Sequence, residues 1–259
     1  MDDDEDLLRS RQGWVEILTL NRPAVRNALD PDLMSALIAA LRRAAADDDV
    51  RAVVLTGSGT KAFCSGMDLR AFRDAPSGRG AGGLDVDELM WFFHGGFPKP
   101  AIAAVNGPAV AGGFELVLAC DLAVAAPHAT FGIPEVRRGL VAAGGGTALA
   151  TRVPLALALE LGLTGDTIDA ARALAVGLVN RVVPTEQVLA EAVGLAERIA
   201  GNAPLAVRLT RDLMRAGALV HPERAWPTPQ QQALLLDSHD AREGASAFVD
   251  KRAPNWLGR

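Results

Sequence analysis

The sequence predicts an α/β fold with parallel strands in its first half and helices in its second half. Up to about residue 126, short apolar strands alternate with amphipathic helices, which is the pattern of right-handed βαβ units with buried strands. Beyond about residue 140, helical periodicity dominates. A chain of 259 residues is long enough for one large core with a helical appendage.

Clear start and stop signals bound the elements predicted for the first half. Residues 14–20 alternate between apolar and polar, as a half-buried strand does. Asp30 and Pro31 are typical of a helix cap and a first helical residue. The elements that follow are a strand at 51–56, a helix near 86–94, a strand at 101–105, a helix from Gly112 and a strand at 121–126.

The second half is predicted to be mainly helical. Helical segments are expected near 144–162, 168–176, 186–201, 204–216 and 228–250, with a strand at 179–183. We therefore divide the chain into an acidic disordered start at 1–10, an α/β core at 11–200 and a helical C-terminal region at 201–259. The last region is expected to serve oligomerisation and to close the pocket.

Composition argues against several classes of protein. A net charge of −5 and a pI near 5.4 argue against nucleic-acid binding, which needs clustered Lys and Arg. The apolar stretch 101–126 contains Asn106, Glu115 and Asp121, so a buried core is favoured over a membrane span. The acidic start is unlike a signal peptide, and two cysteines make no disulfide framework, so we expect a cytoplasmic protein.

Other familiar motifs lack their context. The segment Gly57–Ala62 fits the Gly-x-Gly-x-x-Gly/Ala pattern after a strand, but no amphipathic helix begins at its glycines, so a dinucleotide site is not predicted. The four histidines show no zinc-ligand spacing, and the sequence contains no Gly-x-Ser-x-Gly elbow. No metal site is predicted.

Two glutamates in glycine-rich, apolar surroundings are the candidate catalytic residues. Glu115 closes the run Asn106-Gly-Pro-Ala-Val-Ala-Gly-Gly-Phe-Glu115, and Glu135 ends the run Phe131-Gly-Ile-Pro-Glu135. Burying a carboxylate costs several kcal/mol unless it is compensated, so such acids need a reason. Each also has an ordinary interpretation, Glu115 as a helix-start acid and Glu135 as an exposed loop acid beside two arginines.

Two loop-to-helix junctions are candidate anion sites. In Lys61–Leu69, Gly66 permits a tight turn, and Gly112 and Gly113 open an apolar helix. The first amides of a helix lack internal partners and lie at its positive end. Two such amides facing one oxygen would form an oxyanion hole, although each junction alone is commonly a plain glycine turn.

Together these segments resemble the crotonase family, also called the enoyl-CoA hydratase/isomerase superfamily, over nearly the whole chain. The motifs that carry the resemblance are Asn21–Leu29, Lys61–Leu69, Asn106–Glu115, Phe131–Glu135, Gly144–Thr147 and Phe248–Arg252. The resemblance implies a crotonase-like spiral of βαβ turns with a helical C-terminal region. It also implies homotrimers, which often pair into hexamers as dimers of trimers.

The resemblance further implies an acyl thioester of coenzyme A as substrate. The thioester oxygen would lie between the amides of Met67 and Gly112. Residues at positions where relatives wrap the adenine and pantetheine are Arg26, Ser65, Asp68 and Leu69, and candidates for phosphate contacts are Arg70 and Lys251. No metal or redox cofactor is implied, because coenzyme A enters as part of the substrate.

Retention of both glutamates resembles hydratases, whereas many isomerases of the superfamily keep one or neither. We therefore expect an enoyl-CoA hydratase, a lyase that converts a trans-2-enoyl-CoA to a 3-hydroxyacyl-CoA. Glu135 is assigned the proton delivered to Cα and Glu115 the orientation of water, a division that remains open because close carboxylates titrate together. Alternatives are an enoyl-CoA isomerase, a dehydratase for a bulky acyl-CoA, and a non-catalytic acyl-CoA binding protein.

One segment departs from the family pattern. Leu140-Val-Ala-Ala-Gly144 replaces a more usual Pro-Gly-Ala-Gly segment near the pocket. This difference bears on the acyl chain that the protein accepts and not on the chemistry.

Overall fold

The computed structural model describes residues 5–68, 86–219, 228, 230, 234 and 238–259. The chain divides into two compact units, Met1–Ala196 and Glu197–Arg259. The boundary between the two units falls within the helix Val188–Ala200, and the C-terminal region predicted at 201–259 lies inside the second unit.

A six-stranded sheet lies in the first unit. In spatial order its strands are β1 (Leu7–Gln12), β2 (Val15–Leu20), β3 (Ala52–Gly57), β4 (Ala101–Val105), β6 (Leu122–Ala125) and β9 (Arg181–Val182). β1 is antiparallel to β2, and the other neighbours are parallel. Every residue of β3 and β4 is buried. The predicted buried parallel strands are confirmed.

A smaller sheet was not predicted from the sequence. It consists of β5 (Ala109–Val110), β7 (Thr130–Gly132) and β8 (Thr167–Asp169), in that spatial order. β5 and β7 are parallel, with Val110 opposite Gly132. Because β5 precedes Gly112 and β7 precedes Glu135 in sequence, this pairing places the two glutamate-bearing segments side by side.

The described residues form eight α-helices. They are α1 (Pro31–Ala46), α2 (Val86–Phe93), α3 (Gly112–Ala119), α4 (Leu155–Thr164), α5 (Ala170–Ala175), α6 (Val188–Ala200), α7 (Pro204–Leu219) and α8 (His239–Asp250). The predicted cap of α1 is confirmed, since the Asp30 side chain accepts a hydrogen bond from Leu33 N at 2.9 Å. Of the helix predicted at 228–250, most of the part before residue 238 lies outside the described residues, and α8 accounts for the remainder.

The helical segment predicted near 144–162 is interrupted and begins later than expected. A 3-10 helix, Gly146–Thr151, comes first, and α4 begins only at Leu155. Pro154 lies between the two, and proline lacks the N–H that an uninterrupted helix would use. Three consecutive glycines at 144–146 also disfavour helix and favour the turn that is observed.

The disordered start predicted for residues 1–10 is wrong for residues 7–10. β1 pairs along its whole length with β2, from Leu7 opposite Leu20 to Gln12 opposite Val15. Leu7 is buried, and Arg9 Nε donates to Glu16 Oε1 at 2.8 Å. β1 is stabilised by contacts with β2 that exist only in the folded protein. The charged sequence of residues 7–10 therefore does not indicate a strand by itself.

Aromatic packing fixes α3 against the smaller sheet. Phe114 on α3 and Phe131 on β7 are fully buried, and their ring centroids are 5.6 Å apart. Offset aromatic pairs of this kind add specificity to burial. Since Phe114 precedes Glu115, the contact sets the position of that carboxyl group.

Candidate active site

Glu115 lies in the first turn of α3 and is only 7% exposed. Its Oε1 accepts a hydrogen bond from Gly146 N at 2.8 Å. Burial raises the pKa of Glu115, the Gly146 amide opposes the shift, and the charge of Glu135 raises it further. Glu115 is therefore more than a helix-start acid, because its carboxyl group is enclosed and shares a site with a second acid.

Glu135 lies in the 3-10 helix Pro134–Arg138, directly after β7. The residue is half-buried, and its Oε2 is buried without a hydrogen-bond partner among the described residues. Burial raises the pKa of Glu135, and the charge of Arg138 acts in the opposite direction. A buried carboxyl oxygen without a partner favours the protonated form at this position.

The charge of Glu135 acts on the carboxyl group of Glu115. Repulsion from Glu135 is one of the causes that raise the pKa of Glu115. Because nearby like charges disfavour double ionisation, a Glu135 carboxylate makes ionisation of Glu115 more costly. A reaction with one acid and one base requires a state with one proton on the two groups.

A glycine turn at 144–146 encloses the Glu115 carboxyl group. A Cβ on Gly144 would lie 2.4 Å from Glu115 Oε2, and one on Gly146 would lie 3.1 Å from Oε1. The backbone comes this close only because side chains are absent. This role of Gly144–Thr147 was not predicted from the sequence, although three consecutive glycines after Glu135 were the available signal.

The structure brings together the backbone around Met67 and Gly112. A Cβ on Gly112 would lie 3.7 Å from Met67 N, and one on Gly66 would lie 3.1 Å from Gly112 N. Among the described residues, neither the Met67 N–H nor the Gly112 N–H has a hydrogen-bond acceptor. Gly112 opens α3, which also carries Glu115. Two unengaged donors thus lie close together, near the start of the helix that carries one of the acids.

Three of the predicted substrate-binding residues lie around this backbone. Ser65 N donates to Arg26 O at 3.1 Å, and the Arg26 side chain is exposed. Asp68 Oδ2 lies 3.8 Å from Arg22 Nη1. Arg26 and Ser65 are thus in contact on one side of Met67, and Asp68 follows it in an ion-pair network.

The other three predicted substrate-binding residues are placed differently. Leu69 and Arg70 lie outside the described residues. Lys251 is exposed at the end of α8 in the second compact unit, with a left-handed φ of 54°. Its part in phosphate binding stays a prediction.

Two buried asparagines, which the sequence analysis did not single out as site residues, hold the loop 57–63. Asn27 Nδ2 donates to Ser58 O and Ala62 O, both at 3.0 Å. Asn106 Nδ2 donates to two further carbonyls of the loop, both at 2.8 Å. Buried amides of this kind fix backbone that lacks regular hydrogen bonding. The loop leads directly into the segment of Met67.

The described residues show neither a metal cluster nor a membrane-spanning helix. Within the described ranges, no group of three or more His, Cys, Asp or Glu side chains could hold a metal ion. No helix in the same ranges is long and apolar enough to cross a membrane. Cys64 and Cys120 are buried free thiols, and burial raises the pKa of Cys64 to about 12.

Comparison with known proteins identifies the family. Residues 10–259 match the family described as Enoyl-CoA hydratase/isomerase. The chain belongs to this family. It is 40% identical to an enoyl-CoA hydratase of Mycobacterium tuberculosis, over 98% of this chain and 97% of the relative.

Further comparisons agree with this family and its fold. The chain is 38% identical to the 2,3-dehydroadipyl-CoA hydratase of Escherichia coli, over 98% of this chain and 99% of the relative. It superposes on a solved enoyl-CoA hydratase from Mycobacterium tuberculosis with a TM-score of 0.85 at 40% identity, covering 99% of this chain and 100% of that one. The predicted membership of the family and its crotonase-like fold are confirmed.

Proposed function

We propose that this enzyme is an enoyl-CoA hydratase, which adds water across the 2,3 double bond of a trans-2-enoyl-CoA to give a 3-hydroxyacyl-CoA. The observation that carries the proposal is the pair of enclosed glutamates, Glu115 and Glu135, both with raised pKa values. Relatives named as hydratases at about 40% identity support the same reaction.

The backbone amides of Met67 and Gly112 serve as the oxyanion hole. They donate to the thioester oxygen, which becomes more negative as water attacks Cβ. A single donor of this kind is worth about 3 kcal/mol in the transition state. The positive end of α3 adds to the effect, because Gly112 is its first residue.

The surroundings of the two acids favour a division of labour. Glu115 accepts from the Gly146 amide, which stabilises its ionised form, so it orients the water and takes its proton. Glu135 has a buried oxygen without a described partner, so it holds the proton that goes to Cα. The water oxygen bonds to Cβ as the π bond breaks, and a proton returning from Glu115 to Glu135 restores the pair.

Hydration is favoured over the rival reactions of the same scaffold. An isomerase moves one proton between two carbons and has no need of a second acid to hold water. A binding protein has no need of either acid, and enclosed carboxyl groups are costly to keep. Both acids are present here and are coupled electrostatically.

The coenzyme A part of the substrate lies, in this proposal, along the segment around Met67. Residues assigned to the adenine and pantetheine are Arg26, Ser65, Asp68 and Leu69, and those assigned to phosphate are Arg70 and, from a neighbouring subunit, Lys251. No metal or redox cofactor takes part, since proton transfer and the oxyanion hole supply the chemistry. The described free thiols are in keeping with a cytoplasmic enzyme.

We further propose that the enzyme assembles as a homotrimer or a dimer of trimers. Leu155, Leu159 and Leu163 recur every four residues on α4 and are 59%, 49% and 74% exposed. An exposed apolar stripe of this kind is typical of a contact surface. Sedimentation equilibrium should give three or six times the 27.1 kDa chain mass, and a monomer would refute the proposal.

The proposed reaction is tested by the ultraviolet absorbance of the enoyl thioester, which hydration removes. Wild-type enzyme should bleach crotonyl-CoA or a longer enoyl-CoA. Glu115→Gln and Glu135→Gln should each lower kcat by at least about 10²-fold, because each removes one acid–base group. Glu160→Gln, which changes an exposed acid on α4, is the matched control. Near-normal turnover by either site variant would refute the assignment.

A further inference from the structure

Arg137 joins the 3-10 helix that carries Glu135 to the end of α4. Its Nε donates to Thr164 O at 2.9 Å, and its Nη2 forms an ion pair with Asp166 Oδ1. Its side chain crosses Gly165, where an added Cβ would lie 2.9 Å from Arg137 Cγ. Thr164 O is one of the last carbonyls of the helix, which lack an intrahelical partner, and a cation is favourable at that end.

The same short stretch, residues 164–167, also fixes the other side of Glu135. Strand β7 ends at Gly132, which pairs with Thr167 of β8. Glu135 follows three residues later, and Arg137 then reaches back to Thr164 and Asp166. The backbone is therefore anchored to residues 164–167 on both sides of Glu135. The neighbouring Arg138 instead contacts Pro134 O of its own helix, at 3.5 Å.

We propose that Arg137 is a positioning residue that holds Glu135 in the geometry for proton delivery. This inference rests on the proposed catalytic role of Glu135. The ion pair is well exposed, at 55% for Arg137 and 63% for Asp166, so it contributes little to global stability. A small displacement of a catalytic group, in contrast, lowers the rate strongly. Loss of Arg137 should therefore appear in kcat and leave the stability nearly unchanged.

The test uses Arg137→Ala in the full-length enzyme with crotonyl-CoA as substrate. We expect kcat to fall at least about 10-fold, with KM within about twofold of wild type and Tm within about 4 °C. The matched control is Arg11→Ala, which removes another exposed ion pair, Arg11–Asp47 at 3.2 Å, and should leave kcat unchanged.

A double variant separates positioning from general damage. If Arg137 acts through Glu135, Arg137→Ala should lower kcat no further when Glu135 is already Gln. A wild-type kcat for Arg137→Ala, a large loss of Tm, or a second full decrease in the Glu135→Gln background would each overturn the inference. High activity of Glu135→Gln alone would instead remove the proposed function, so the two failures can be told apart.

Discussion

Among the described residues, the Glu115 carboxyl group is held by backbone and not by a charged side chain. Its oxygens lie against Gly144 and Gly146, and one of them accepts a hydrogen bond of 2.8 Å. Such an arrangement keeps the carboxyl group in place without neutralising it through a salt bridge. The acid can therefore change protonation state during a catalytic cycle at modest cost.

The glycine at 144 is predicted to be necessary for this arrangement. In Gly144→Ala, the new Cβ would lie 2.4 Å from Glu115 Oε2, so the carboxyl group must move. Gly144 is outside the left-handed region, and the alanine backbone is tolerated. We expect kcat for crotonyl-CoA to fall at least about 10-fold, by the same misplacement argument.

The matched control for Gly144→Ala is Gly162→Ala on α4, where the added Cβ meets Ile133 Cδ1 at an ordinary 3.5 Å. The control should keep wild-type kcat and gain up to about 1 kcal/mol of stability, because alanine is the better helix former. Wild-type kcat for Gly144→Ala would show that Glu115 needs no such space.

The raised pKa of Glu135 predicts how stability depends on pH. Because burial raises this pKa, the native state binds the proton more tightly than the unfolded chain, in which glutamate titrates near about 4.3. Stability is therefore lost as pH rises above that value through the folded pKa. Glu135→Gln, which cannot ionise, should have a higher free energy of unfolding than wild type at pH 7, and the difference should shrink toward pH 4.

Urea denaturation of both proteins at the two pH values measures this difference. Equal stabilities at pH 7, or a difference that grows on acidification, would contradict a carboxyl group penalised by burial.

Among the secondary-structure elements, the shortest strands bring the two glutamate-bearing segments together. β5 has two residues and β7 three, yet their parallel pairing places the start of α3 beside the 3-10 helix of Glu135. Ala111, between β5 and α3, has φ 52° and ψ −131°, a conformation that favours glycine. The turn that presents the Gly112 amide is thus strained.

Ala111→Gly should relieve this strain. A non-glycine residue held in a sparsely populated backbone conformation costs about 1–3 kcal/mol. Glycine removes this strain but loses more conformational entropy on folding, so we expect a net gain of about 1 kcal/mol in the free energy of unfolding. Ala36→Gly in the middle of α1 is the control and should lose about 1 kcal/mol. A loss of similar size in both variants, measured by chemical denaturation, would argue against strain at Ala111.

An element can be predicted from the sequence when its signal is local, and it cannot when the element depends on residues distant in the chain. Strands β2, β3 and β4 and helix α1 show their periodicity or continuous apolarity within one segment, so the sequence predicts them well. β5, β7 and β8 have two or three residues and show no period at all. β1 is stabilised by pairing with β2 and by the Arg9–Glu16 contact, which local composition does not reveal.

At the scale of the whole molecule, the sequence identified the two glutamates and the two amides but not their distances. Glu115 and Glu135 come together through the pairing of β5 with β7 and the packing of Phe114 on Phe131, both of which are long-range contacts. The glycine turn at 144–146 that encloses the Glu115 carboxyl group also forms only in the folded protein. The same is true of the hydrogen bond between Arg137 and Thr164. Family motifs supplied residue identities, and the fold supplies the electrostatic effect of Glu135 on Glu115 that the proposed acid–base pair requires.

In the proposed mechanism, Glu115 and Glu135 add one water molecule to an enoyl thioester. The most direct measurement is mass spectrometry of the product formed from crotonyl-CoA in water labelled with heavy oxygen. We expect a 3-hydroxyacyl-CoA that is heavier than the substrate by one molecule of labelled water, formed by wild type and hardly at all by Glu135→Gln. A product with the mass of the substrate, or no product from wild type, would contradict it.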